Sequence, residues 1–293
     1  MTTLQHKIDF AVIICVNHAN PNGDPLNGNR PRVNYDGLGE LSDVCIKRKI
    51  RNRLMEAGHS IFVQSDDNRV DEYPSLRKRA EGVLRGVDMK DERKYREAAC
   101  REWFDVRAFG QLFAYSGGSD KGVSIGVRGP VSIHPAFSIA PVLDRVTSTQ
   151  ITKSVSGEGD GTKRASDTMG MKHRVDHGVY VFYGSINPQL ASKTGFTDED
   201  AQAILQTLKI LFRNDASSSR PEGSMEVYRV YWWEHNNPNG QYSSAKVHRA
   251  VGSRVCIREG IGEPNSIEDY CIPSAEEIEQ ALPDLKCQVF EGE

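Results

Sequence analysis

Ile8-Asp9-Phe10-Ala11-Val12-Ile13-Ile14-Cys15-Val16 decides how the rest of this chain is read. A short run rich in β-branched and aromatic residues, bounded by turn signals, predicts a buried strand. It leads into a polar turn, Asn20-Pro21-Asn22-Gly23-Asp24-Pro25, and then into Arg30-Pro31-Arg32. A helix is expected from about Leu41 to Ala57, with Ser42 or Asp43 as N-cap and Gly58 as its stop. Ile46, Ile50 and Leu54 recur at four-residue spacing and give that helix one apolar stripe. Lys47, Arg48, Lys49, Arg51 and Arg53 crowd the remainder. A strand that delivers a polar loop and then a cationic helix holds positive charge on a rigid platform. That arrangement suits a long polyanion better than a small substrate.

Outward from this stretch, strands are expected at 123–133, 178–187 and 226–233, and a second helix at 197–212 opened by Thr197-Asp198-Glu199-Asp200. The order strand, helix, strand, strand, helix, strand is the β-α-β-β-α-β pattern of a ferredoxin-like or RRM-type sheet, an α+β fold in a single domain. Two long stretches interrupt it. Residues 59–122 carry charged helical material ending in Trp103-Phe104-Asp105-Val106-Arg107-Ala108-Phe109-Gly110, and residues 134–177 are rich in Ser, Thr, Gly and charge. Long insertions between central strands are usually functional arms or loops. Phe104, Phe109 and Phe113 read as core.

With 293 residues the chain can bury one sizeable core, or two small ones. No apolar run approaches the ~20 residues of a membrane span, and the first residues lack the apolar centre of a signal peptide. The expectation is therefore a cytoplasmic protein without a membrane partner. Six dispersed cysteines, with no C-x-x-C, offer neither a zinc site nor a disulfide framework, and read as small buried or half-buried hydrophobes. The net charge of −3 conceals an asymmetry. Ten acids and one base lie between Glu259 and Glu293, a segment of −9, which leaves +6 on residues 1–258. Local charge, not the total, sets what a surface attracts. The acidic segment is expected to be a solvated surface piece.

Several strings, in order, resemble a known family: Asn20-Pro21-Asn22-Gly23-Asp24-Pro25, Arg30-Pro31-Arg32, Asp43 to Arg51, Phe104-Asp105-Val106-Arg107-Ala108-Phe109-Gly110, Arg128-Gly129-Pro130-Val131, Ile151-Thr152-Lys153 and Met169-Gly170-Met171-Lys172-His173. Together they look like the repeated RAMP-superfamily backbone subunit of type I CRISPR surveillance complexes (Cascade), most like the I-C subtype. The resemblance spans residue 8 to about 235. It implies a modified RRM palm, helical fingers from 59–122 and a protruding thumb from 134–177. It implies further that copies assemble head to tail along a CRISPR RNA with other Cascade subunits, each thumb displacing a guide nucleotide and leaving the rest to pair with target DNA. It gives residues 259–293 no role.

Arg30, Arg32, Lys47, Arg48, Lys49, Arg51 and Arg53 are the expected phosphate contacts. Removing Lys47 and Lys49 together is then expected to flatten the salt dependence of RNA binding. Arg128, between Gly126 and Gly129, is a further candidate, because glycine permits close backbone approach. On the thumb, Lys153, Lys163, Arg164 and Lys172 are expected to flank Met169 and Met171, which either wedge between bases or anchor the arm to a neighbour. Gly117 to Gly122 lacks the spacing of a phosphate loop, and no nucleophile motif is present. No metal or cofactor is expected. Asp24 reads as a turn cap; the rival is a metal-dependent ribonuclease that uses Asp24 to cut target RNA. His18, His173 and His177 form no recognisable acid–base dyad. A third reading is a standalone RRM-type protein that binds a short sequence motif.

Overall fold

The computed structural model describes residues 2–115, 123–142, 146–152 and 169–293. In chain order these form β1 (Ile8–Ala19), β2 (Gly23–Asp24), β3 (Arg30–Pro31), β4 (Leu38–Leu41), α1 (Asp43–Glu56), α2 (Leu76–Val83), α3 (Glu92–Glu102) and α4 (Phe104–Phe109). Then come β5 (Gly110–Tyr115), β6 (Val123–Arg128), β7 (Val131–Ile133), β8 (Ala136–Pro141), β9 (Val146–Thr152), β10 (Met169–Ile186), α5 (Pro188–Thr194), α6 (Asp198–Lys209) and β11 (Met225–Glu234). The last elements are α7 (Ser244–Gly252), β12 (Cys256–Ile257), β13 (Tyr270–Cys271), α8 (Ala275–Ala281) and β14 (Gln288–Glu291).

The main sheet is antiparallel and ordered β14-β11-β1-β10-β8-β4, with β7 and β9 also pairing with β10. β1 lies inside it, flanked by β10 and β11, and both of its faces are covered. Phe10, Val12, Ile14 and Val16 enter the core beneath α1 and α6, while Ala11 and Ile13 enter a second core beneath α7 and α8. A strand covered on both faces reads as an uninterrupted apolar run, which is why residues 8–16 signal so strongly. α1 begins at Ser42, whose hydroxyl accepts the Cys45 amide, and its Ile46, Ile50 and Leu54 are buried as their spacing requires. α6 opens with a capping box between Thr197 and Asp200.

Three expected boundaries change. The predicted strand 123–133 is two strands: β6 pairs with β5 in a separate hairpin, and β7 joins β10. The break falls at Gly129-Pro130, where proline lacks an amide and a Cβ on Gly129 would run into the Ala108 carbonyl. The insertion expected to end at 122 therefore claims β6 as well. It owns a third core of Phe62, Tyr95, Trp103, Phe113 and Ile125. The expected arm 134–177 begins inside the sheet, because β8 lies between β10 and β4. Ala140, Val142 and Val175 are buried, so excising 140–175 would cut into the core.

The acidic segment is a correction too. Residues 259–293 are not a solvated appendage: Tyr270, Ile278, Leu282, Leu285 and Cys287 are buried in the second core, and β14 extends the sheet beside β11. In the α8 turn Ala275-Glu276-Glu277-Ile278, Ile278 is buried while Glu276 and Glu277 are not, an amphipathic pattern that the charge count hides.

Beneath α7 lies a buried polar cluster. Asp9 accepts from His235 Nε2 at 2.9 Å and pairs with Lys7 at 3.1 Å. Gln241 N–H donates to His235 Nδ1 at 2.9 Å, which fixes the tautomer. Burial would raise the Asp9 carboxyl, but bonds from His235 and Ser244 and the Lys7 charge outweigh it and hold it below its ordinary value. His248, bonded to the Gly184 carbonyl at 3.0 Å, is held below its ordinary value by burial, partly offset by Asp9. Its folded form resists the proton that the unfolded chain takes up as pH falls through about 6.5. His59 is depressed in the same direction, again chiefly by burial. Thermal stability is therefore expected to fall as pH is lowered from 7 to 5, with a shallower slope in His248→Asn. Melting curves across that range check it.

Candidate nucleic-acid interface

Near the end of β1 His18 takes a φ of +52°, and residues 20–32 then fold into a loop built on hydrogen bonds. Asn20 donates to the Asn29 carbonyl at 2.7 Å, and Asn22 accepts the Ser42 amide at 2.9 Å. The Arg32 amide donates to the Asn22 carbonyl at 2.9 Å. Asp24 caps the short turn 25–27 through the Leu26 amide, at 3.1 Å, and sits 3.6 Å from Arg32. This loop places the exposed Arg30 beside β10. His173 of β10 is held below its ordinary value first by burial and then by the charge of Arg30.

β10 is the element that builds the site. It runs for 18 residues without a break. Its second half pairs with β1 from Ile186 to Val175, and its first half continues past the sheet as a two-stranded ribbon with β9. The strand expected to start at 178 thus starts at 169. At the ribbon's root Lys172 and Arg174, two apart, share one side of the strand. Arg174 is 3.1 Å from Asp176, which also accepts from Thr147 at 2.7 Å and lies 3.4 Å from His18. Those bonds outweigh the burial of Asp176 and keep it ionised. Arg174 was not among the expected residues; its two-residue spacing from Lys172 was the available signal.

Among the described residues no carboxylate pairs with Arg30, Lys172 or Arg128. Arg30 lies beside β10, where its charge reaches His173, and Lys172 is the preceding residue of that strand. Arg128 is exposed on a different element, the end of β6, opposite Gly110. Gly129 serves packing against α4, whereas Gly126 is exposed and a Cβ there would meet only the Leu112 side chain, at 4.0 Å. Met171 is exposed and opposes Gln150 across the ribbon; Met169 opposes Thr152. Lys153, Lys163 and Arg164 lie outside the described residues.

The cationic helix is the largest correction. Lys49 is buried, paired with Asp215, and lies 5.3 Å from the centre of the Phe212 ring. Arg51 donates to Asp105 at 2.8 Å and lies over the Phe109 ring. Arg53 is buried and bonded to Glu56 at 2.7 Å. Arg48 donates to the Val63 carbonyl at 2.7 Å. Lys47 alone of the five holds only a helix-surface pair, with Asp43 at 2.9 Å, and such pairs are weak. The physical reason is the position of α1: it is wedged between the sheet, the helical insertion and the 212–220 segment, so its charges meet internal carboxylates and carbonyls. Lys49→Ala is accordingly expected to cost about 3 kcal/mol of stability. It should leave the salt slope of polyanion binding unchanged, as urea unfolding and binding titrations would show.

The sheet face is closed. In an RRM, aromatic side chains on the sheet stack bases; here Tyr231 and Trp233 are fully buried beneath the C-terminal elements. These aromatic rings are therefore not available to stack bases. Asp24 is engaged with the Leu26 amide and Arg32, as expected of a turn cap.

The overall fold resembles that of chains from solved RNA-guided surveillance complexes. A chain of a CRISPR RNA-guided surveillance complex, pre-nicking, superposes with a TM-score of 0.51 at 16% identity, covering 95% of this chain and 89% of its own. A chain of another CRISPR RNA-guided surveillance complex gives 0.50 at 15% identity, covering 98% and 89%. At such identity the likeness is one of fold. The family model for CRISPR-associated protein Cas7 matches residues 6–275, and the chain belongs to that family. A CRISPR-associated protein Cas7 of Haloferax volcanii is 29% identical over 221 residues, 70% of this chain but only 63% of the relative's length.

Proposed function

We propose that this chain is the non-catalytic backbone subunit of a type I-C Cascade complex, binding CRISPR RNA in the cytoplasm and presenting it for base pairing with target DNA. One observation carries the reading. β10 leads without interruption from the centre of the sheet into a ribbon that carries Lys172 and Arg174, and the loop before β4 sets Arg30 beside the same strand. A rigid strand that carries cations to the edge of a closed sheet grips phosphates without reading bases. The order β11-β1-β10-β7 supports a modified RRM palm, with fingers formed by α2 to β6 and a thumb formed by the ribbon. RNA-binding residues are proposed as Arg30, Arg32, Lys47, Arg128, Met169, Met171 and Lys172, with Lys153, Lys163 and Arg164 on the thumb. Copies stack head to tail, and a rotation that does not close makes the stack helical. Membership of the Cas7 family supports this reading.

The test is co-expression with a CRISPR array and the partner subunits, followed by native mass measurement and RNA sequencing of the particle. The expected result is several copies of this chain on one guide RNA, with binding that is salt-dependent and indifferent to guide sequence. A monomer that carries no RNA overturns the proposal, and a monomer that prefers one short motif replaces it with the sequence-reading alternative.

A further inference from the structure

The six cysteines are far apart in sequence and all are free thiols. Folding brings Cys256 of β12 directly opposite Cys271 of β13. Two residues along the same ladder the Arg258 amide donates to the Asp269 carbonyl at 2.8 Å, which places both cysteines in the hydrogen-bonded phase of the pair. Opposing Cα atoms there lie about 5.5 Å apart, within the ~4.4–6.8 Å that a disulfide spans. Cys256 is exposed and Cys271 half-buried, so a reagent in solution reaches the first and the second waits beside it.

We propose that Cys256 and Cys271 form a thiol–disulfide site that locks the β12–β13 hairpin against the root of the ribbon. The partner is a low-molecular-weight disulfide such as glutathione disulfide. The Cys256 thiolate attacks one of its sulfurs and expels one glutathione. Cys271, deprotonated, then attacks Cys256 and displaces the second. One disulfide is exchanged for another, and the two protein protons end on the two glutathione thiols. Burial, and then the neighbouring Cys271, hold the Cys256 thiol above its ordinary value, so the first step quickens as pH rises.

The location gives the bond a consequence. Tyr270, next to Cys271, is buried with its ring 5.9 Å from that of His177. His177 in turn holds Asn17 at 2.7 Å across the β1–β10 pair, where β10 leaves the sheet. Closing the intervening loop restrains opening of the hairpin, and with it the packing behind the ribbon root.

The experiment treats the full-length protein with glutathione disulfide at neutral and mildly alkaline pH. It reads thiol content, non-reducing peptide masses and amide hydrogen exchange. Expected are the loss of two of the six titratable thiols, a Cys256–Cys271 linked peptide formed faster at the higher pH, and slower exchange at residues 175–178. Dithiothreitol should reverse all three, and Cys256→Ser should show neither the link nor the change in exchange. A persistent glutathione adduct on Cys256, links between other cysteines, or a correct link with unaltered exchange at 175–178 would each overturn the proposal.

Discussion

Asp105→Ala will lower the melting temperature by roughly 10 °C. Asp105 is 1% exposed and accepts three bonds: Arg51 Nε at 2.8 Å, the Phe62 amide at 2.7 Å and the Val63 amide at 3.1 Å. Those donors come from α1 and from the entry to the helical insertion, so one carboxylate fastens the two units together. Removing it strands a largely buried guanidinium and two amides. Breaking a buried charge pair from one side costs about 3–5 kcal/mol, and each kcal/mol is worth about 2–4 °C in a chain of comparable size. Asp105→Asn, which keeps one acceptor oxygen, should fall between the two. Calorimetry distinguishes them; a melting temperature within a degree of the parent in both variants would show that the insertion holds to α1 by packing alone.

Arg30→Ala, Arg32→Ala and Lys172→Ala combined are expected to weaken guide-RNA binding about a hundredfold, taking ~1 kcal/mol per phosphate contact. The slope of log K against log salt should become shallower by about 2, since each lost contact to a single strand contributes ~0.7. The loss should be similar for unrelated guide sequences, because phosphate contacts do not read bases. Arg32 contributes twice: removing it also leaves Asp24, 3.6 Å away, facing the site without its partner. Fluorescence anisotropy at several salt concentrations, with melting curves to confirm folding, gives the answer. Full affinity in the triple variant would move the RNA path away from the ribbon root. The same titration on Lys49→Ala separates the two groups of cations, since that side chain supports the fold and does not face solvent.

The contrast between these cations marks how far the sequence could be read. Residues 8–16 as a strand, α1 with its Ser42 cap, α6 with its Thr197 box and β11 all follow from local rules, because periodicity and capping depend on neighbours a few residues apart. The Asp24 turn cap was legible for the same reason. Lys49 was not: its partner Asp215 is 166 residues away, and nothing local distinguishes a paired lysine from a solvated one. Arg107 and Asp200, joined by bonds of 2.8 and 2.7 Å, are separated by 93 residues and went unread for the same reason.

By itself, then, the sequence determined several elements and a family resemblance, since those rest on short-range patterns and ordered strings. Tertiary structure alone decided which charges are spent inside and which remain outside. It closed the sheet face with the acidic C-terminal segment, drew β10 out into a ribbon, and set Cys256 opposite Cys271. Each of those outcomes is a long-range pairing, fixed by packing geometry and by the cost of burying a charge without a partner.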